Sequence, residues 1–435
     1  MTGQLGVAVI VVLLAAAGAQ TLSAQTPPAA PGGAERYYDW LTGCLGGIEK
    51  DLPAYTRSAE AAAKLYVQDG CEIGAFGDDP FVRELYNRSG GLMQMKSFGP
   101  LFQKKGTEWA PPAKGVALVG LRDDMLDDCV GKILEFRKRN YYVAVFGRTE
   151  LIEKAKKVLP NGADPDAWFD VHASAHGGLV QNPDGQWIIP TDSATLSSAG
   201  WVWTAEFVAA CTREGKMPPM YLGYAIEGAG PREAKFKGVK FHDTLPARLE
   251  AGALSRQWLT ELRASLQQIH ASEMPGIRKA ASDAAAAKAA GGKLWVYLQG
   301  HEIIRLMGYP HDPKWFEPLH RDWNTLRKDA KAGAGDFVLC IGYDQIFDGK
   351  DWQDFASEAR KAGAKLAWSF TDYRPEQVKT VPTGETFIDQ HWAKGDAAAA
   401  IPNYDIKCLP TSGVIAEAVL WMVHAEMAGK LNAAQ

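Results

Sequence analysis

The chain has 435 residues, of which 46% are apolar, 23% charged and 10% aromatic, enough to bury one or two full cores and too apolar for a disordered or collagen-like polymer. Lys and Arg total 47 against 51 Asp and Glu, a formal charge of -4. That balance gives no basic footprint for nucleic acid.

Residues 1–25 hold no Lys, Arg, Asp or Glu, and an apolar run from Leu5 to Ala17 is followed by small residues at Ala17-Gly18-Ala19 and Leu22-Ser23-Ala24. The pattern predicts a secretory signal peptide over 1–24 and a Pro- and Ala-rich linker over 25–35. The run is shorter than the ~20 apolar residues a membrane-spanning helix needs. The expected location is therefore periplasmic or secreted, with no membrane attachment after cleavage. Six Cys, at 44, 71, 129, 211, 340 and 408, show neither CxxC nor metal-type spacing and read as reduced core residues.

A long helix is predicted from Tyr37 to Val67, followed by apolar runs that end in Gly, Cys71 to Gly77 and Val116 to Gly120. A third strand, Tyr142 to Phe146, comes next, and Pro190-Thr191 opens an apolar helix through Trp201 and Phe207. The same order then recurs. A helix from about Ser255 to Ala290 leads to Leu294–Gly300, Phe337–Gly342 and Leu366–Phe370, and Pro410-Thr411 opens a helix through Trp421. Gly77 matches Gly300, Gly120 matches Gly342, Phe146 matches Phe370, Asp170-x-His172 matches Asp389-x-His391, and Pro190 matches Pro410. The offsets drift only between 219 and 224 residues. Continuously apolar strands alternating with helices mark parallel sheets covered on both faces. The predicted fold class is α/β: two homologous flavodoxin-like three-layer domains, 36–250 and 251–435, arranged as a pseudo-dimer with a ligand cleft between them.

A leading helix, strand-Gly-loop-helix, and an apolar strand opened by Gly335-Asp336 and followed by Leu366-Ala-Trp-Ser resemble the sugar isomerase (SIS) domain. Two such halves in one chain are similar to the isomerase part of glucosamine-fructose-6-phosphate aminotransferase. The resemblance implies a sugar or sugar derivative as ligand and aldose-ketose isomerisation as activity. The family's phosphate-holding Ser and Thr are missing. The corresponding loops read Arg122-Asp123-Asp124 and Tyr343-Asp344-Gln345, whose carboxylates suit a helix N-terminus but repel phosphate.

An isomerase needs an acid and a base at the strand C-terminal edge. His301 and Glu302 follow the first strand of the second half, where the first half has Asp78 and Asp79. His391, paired with Asp389, and Glu417 on the last helix complete the candidate catalytic set; the presence of Asp-x-His in both halves favours a structural role for it. Asp78, Asp123, Asp124, Tyr343, Asp344, Gln345, Thr411 and Ser412 are the candidate ligand contacts, with Trp392 as a stacking face. Each also has a plain reading as a helix cap or core residue. No HExxH pattern, P-loop, GxGxxG or GxSxG occurs, so no metal or cofactor is expected. The competing reading is a non-catalytic carbohydrate-binding or interaction protein with a degenerate site. Further pairing into a homo-oligomer stays open.

Overall fold

A computed structural model describes residues 32–99, 113–223, 226–301, 303–322, 325–343, 350–371, 381–393 and 395–433. The predicted signal peptide and most of the linker lie outside them, as do Glu302, Asp344 and Gln345. The first half runs α1 (Gly33–Lys50), α2 (Leu52–Asp69), β1 (Glu72–Gly77), α3 (Asp79–Leu85), β2 (Met95–Ser97), β3 (Gly115–Gly120) and α4 (Leu126–Lys138). It continues through β4 (Tyr142–Gly147), α5 (Thr149–Val158), β5 (Ala167–Asp170), the hairpin β6 (Gly178–Gln181) and β7 (Trp187–Pro190), and α6 (Asp192–Arg213). After α7 (Ala229–Phe236) the second half gives α8 (Ala253–Gln268), α9 (Met274–Ala289), β8 (Leu294–Leu298), β9 (Glu317–Pro318) and the hairpin β10 (His320–Asp322) and β11 (Thr325–Leu326). Then come β12 (Phe337–Ile341), α10 (Lys350–Lys361), β13 (Lys365–Phe370), β14 (Thr386–Asp389), the pair β15 (Ala399–Ala400) and β16 (Lys407–Cys408), and α11 (Ser412–Ala433).

The two main sheets are parallel throughout, with orders β2-β1-β3-β4-β5 and β9-β8-β12-β13-β14. Both are the flavodoxin-like order, whose topological switch lies between the first and third strands. The fold class expected from the sequence is the one observed. Helix boundaries differ from the prediction in two ways. α1 starts at Gly33, inside the stretch read as linker, and the long first helix is interrupted at Asp51 ahead of Leu52-Pro53. In the second half the matching Met274-Pro275 follows a single π turn, Ile269–Glu273. A proline has no N–H to donate back along the helix, so each long helix must change its pitch or break there.

Alternation along the strands divides the core. Val116 and Leu118 face one way, into a core that also takes Leu294, Val296, Leu339 and Ile341 of the second sheet, while Ala117 and Val119 face α4 and α5. A separate outer core under α10 gathers Trp295, Val338, Cys340, Trp352 and Trp368. The shared core is filled by α1, α2, α6, α8, α9 and α11, and residues 32–435 form one compact unit. α6 is buried along almost its whole length, its Ser and Thr residues together with its Ala and aromatic ones. All six Cys are buried and unpaired.

The halves exchange their leading helices. α2 packs on α6 and α9 on α11 within each half, but α1 packs on α11 and α8 on α6, each crossing to the other half. Backbone bonds repeat the exchange. Ile189 (φ 65°) donates its N–H to the His311 carbonyl at 2.9 Å, and its counterpart Leu409 (φ 67°) donates to the Gly90 carbonyl at 2.8 Å. Left-handed backbone at a β-branched residue is costly, and the cross-half bond holds it in place. The Asp-x-His repeats serve the same architecture. The ring Nε2 of His172 meets Asp51 at 2.8 Å and that of His391 meets Glu273 at 3.1 Å, at the break in each leading helix.

Where α1 crosses α11, Gly33 lies directly against the Ala425 backbone, so a Cβ there has no room. Gly33→Ala is expected to destabilise the protein by about 1–3 kcal/mol through overpacking. Gly46→Ala, on an open face of the same helix, should stabilise it by roughly 0.5–1 kcal/mol. Chemical denaturation of the two variants measures both effects; equal responses would mean that α1 is not wedged against α11.

Candidate functional site

The strand C-termini of both sheets deliver their loops to the boundary between the halves. In the first half β1 ends at Gly77 (φ 102°), which lies so close to the Gly120 carbonyl that only glycine fits. The chain can then turn, and Asp78 donates its N–H to that carbonyl at 3.0 Å and caps α3 by accepting from the Phe81 N–H at 2.9 Å. Its other oxygen accepts from the Tyr309 hydroxyl of the second half at 2.8 Å. Arg122 approaches it only to 3.9 Å and spends its guanidinium mainly on Asp124, at 2.5 Å. Arg148, following β4, pairs with both Asp123 and Asp192, the latter at the start of α6.

The second half builds the matching edge from different residues. Arg88, the counterpart of Tyr309 in the repeat, crosses over and donates to Asp396 Oδ2 at 2.8 Å, to Ser412 Oγ at 2.7 Å and to Glu84 at 3.1 Å. Asp396 caps α11 by accepting from the N–H groups of Thr411 and Ser412 at 3.0 and 2.9 Å. The Tyr343 hydroxyl shares a 2.9 Å bond with Ser412 Oγ, and the Tyr343 ring meets Trp392 edge-on. Between the two edges, Glu417 of α11 accepts from Ser193 Oγ of α6 and from the Trp421 indole N–H, both at 3.0 Å.

Burial dominates the electrostatics of this layer. It raises Asp78 to about 6, Asp192 to about 7 and Glu417 to about 8, against the partial relief that Arg122, Arg148 and the hydrogen-bond donors give. His301 lies near Arg88, and burial together with that charge holds its imidazole well below the usual histidine range.

The structure thus gathers Asp78, Asp123, His301, Tyr343, Thr411, Ser412 and Glu417 along one polar boundary. Asp124 is at its exposed fringe, and Trp392 is core, its indole bonded to Gln390 at 2.8 Å. His391 is taken up by Glu273. Arg88, Arg148, Tyr309, Glu84 and Asp396 were not singled out from the sequence. The repeat register held a signal for Arg88 and Tyr309, which occupy equivalent positions, but nothing local marked them.

An open cleft of about 560 Å³ lies beside this layer, at the C-terminal end of the β1/β3 switch point. It is lined by Gly77, Asp79, Arg122, Asp127, Lys132 and Glu135, among others. Its wall includes Gly131, an interior residue of α4 at which a Cβ would meet nothing. Arg305 of the second half reaches its rim at Asp79, at 3.4 Å. Among the described residues no group of three or more His, Cys, Asp or Glu is placed to hold a metal ion, and no helix is long and apolar enough to cross a membrane.

No protein-family model and no curated protein matches the sequence. Among solved structures, a candidate phosphosugar isomerase from Silicibacter pomeroyi is similar at 10% identity and a TM-score of 0.43, over 92% of this chain and 98% of that one. The C-terminal domain of glucosamine-fructose-6-phosphate aminotransferase from Francisella tularensis is similar at 8% identity and a TM-score of 0.40, over 89% and 94% of the two chains.

Arg88 is the one guanidinium that serves both Glu84 and Asp396. Arg88→Met keeps the volume but leaves two buried carboxylates uncompensated, and an expected loss of about 3–5 kcal/mol follows. Urea denaturation at pH 7 reads the loss, and a loss below about 1 kcal/mol would exclude the charge argument.

Proposed function

We propose that this protein binds an unphosphorylated sugar or sugar derivative in the cleft at the switch point of its first half, and that it acts by binding rather than by isomerisation. The observation that carries the reading is the cleft's lining. Carboxylates and two cations, Arg122 and Lys132, stand around a glycine-opened wall, a mixed donor and acceptor surface suited to hydroxyl groups. Gly131 costs the α4 helix about 1 kcal/mol relative to Ala and leaves open room in return. Asp127 and Asp128 occupy the first turn of α4, where a phosphate would otherwise be attracted, and they oppose an anionic ligand. Glu417 and His301, the acid and base that the sequence offered, do not line the cleft. The charge-free apolar run from Leu5 to Ala17 supports an exported protein, in keeping with a ligand that carries no phosphate.

A thermal-shift series with glucose, glucosamine and glucose 6-phosphate tests the proposal. A ligand specific to the native state at a hundredfold excess over its Kd should stabilise by about 2.7 kcal/mol. The expected result is a rise in Tm with an unphosphorylated sugar, none with the phosphate ester, and loss of the rise in Gly131→Phe, which fills the cleft. Gly131→Ala should raise Tm in the absence of any sugar. A shift given only by glucose 6-phosphate, or one surviving in Gly131→Phe, would place the ligand elsewhere and refute the reading.

A further inference from the structure

Five carboxylates less than a tenth exposed, those of Asp78, Glu84, Asp192, Asp396 and Glu417, meet at the boundary between the halves with two equally buried guanidinium groups, Arg88 and Arg148. Glu84 and Asp396 share Arg88, and Asp192 shares Arg148 with the more exposed Asp123. Asp78 and Glu417 are left with neutral hydrogen-bond partners: the Phe81 N–H and the Tyr309 hydroxyl for the first, the Ser193 hydroxyl and the Trp421 indole for the second. The Tyr309 and Ser193 bonds are the ones that cross between the halves. Among the described residues no ion pair reaches Glu417, and Asp78 has only the Arg122 guanidinium at 3.9 Å; a buried anion so weakly compensated is expensive, and the cheaper state is the neutral acid.

We propose that this layer is a proton-controlled latch: protonated Asp78 and Glu417 hold the two halves closed, and their ionisation loosens the boundary. The groups facing Glu417 are Tyr37 of α1, Asp78 after β1, Glu84 of α3, Ser193 of α6 and Trp421 of its own helix. Those facing Asp78 are Arg122, Asp79, Asp192, Glu417, Tyr309 and the Cys129 thiol, and those facing Asp192 are Arg148, Asp78, Asp123 and Tyr309. Every acid facing Glu417 makes its ionisation harder, and no cation is among those groups. In the unfolded chain these acids ionise near pH 4, whereas burial holds Asp78 to about 6 and Glu417 to about 8. The folded state therefore binds more protons across that interval. The stability from this layer is fully present below about pH 4 and is lost as pH rises through 6 and 8.

Hydrogen–deuterium exchange of the full chain between pH 5 and pH 9, corrected for the chemical exchange rate, tests the latch. Peptides covering the starts of α6 and α11 should open about tenfold more often at pH 9 than at pH 6, with the midpoint near 8, while α4 and α5 on the outer face stay constant. In Glu417→Gln, which mimics the protonated acid and keeps both partners, the rise should fall below about twofold. Ser193→Ala removes a donor that favours the carboxylate, so it should move the midpoint to higher pH. An identical profile in wild type and Glu417→Gln would overturn the proposal. If Glu417→Gln does not fold, an unmoved midpoint in Ser193→Ala would do the same, as would a pH response shared equally by the outer helices.

Discussion

Everything in this protein hangs on the exchange of leading helices between two copies of one α/β unit. α1 packs on α11 and α8 on α6, so each half completes its apolar core with a helix from the other. The result is a single core sandwiched between two sheets, with small outer cores under α4 and α5 and under α10. That arrangement fixes where chemistry can occur. The C-terminal edges of both sheets meet at the boundary, and the loops that cross it, around Arg88 and around Tyr309, are equivalent segments of the repeat.

The two edges have diverged while keeping their frame. Cross-half backbone bonds from Ile189 and Leu409, left-handed backbone at His172 and His391, and prolines at 53 and 275 recur in register. The side chains at the edges do not. Asp78 stands opposite His301 in the repeat, Tyr309 opposite Arg88, and Asp192 opposite Ser412. Frame positions are held by backbone geometry, which tolerates little change, whereas an edge side chain can change once its partner across the boundary changes with it. The first half has kept an open cleft against α4, and the layer between the halves has closed over a surplus of acids.

Much of the fold was legible because its signals are local and were written twice. Short apolar runs ending in Gly, a Pro-Thr step before an apolar helix, and an Asp-x-His turn each carry weak information, but their near-constant offset does not. Duplication favoured a structural role for Asp-x-His, and both copies tie the end of a strand to the break in a leading helix. The polar boundary was legible only in part. Asp78, Tyr343, Ser412 and Glu417 could be placed by their position after a strand or on the last helix. Arg88, Arg148 and Tyr309 could not, because they sit in segments without periodicity and each has a partner from 25 to more than 300 residues away.

The sequence by itself determined the two α/β units and their parallel sheets, since strand burial and helix periodicity depend on neighbours within a few residues. Only the tertiary structure decided that the leading helices trade places and that Trp392 is core. It also decided that Glu417 is sealed against Ser193 and that the open cleft lies over β1 and β3. Those facts depend on which surfaces meet in space, and on desolvation that arises only when the two halves close on each other.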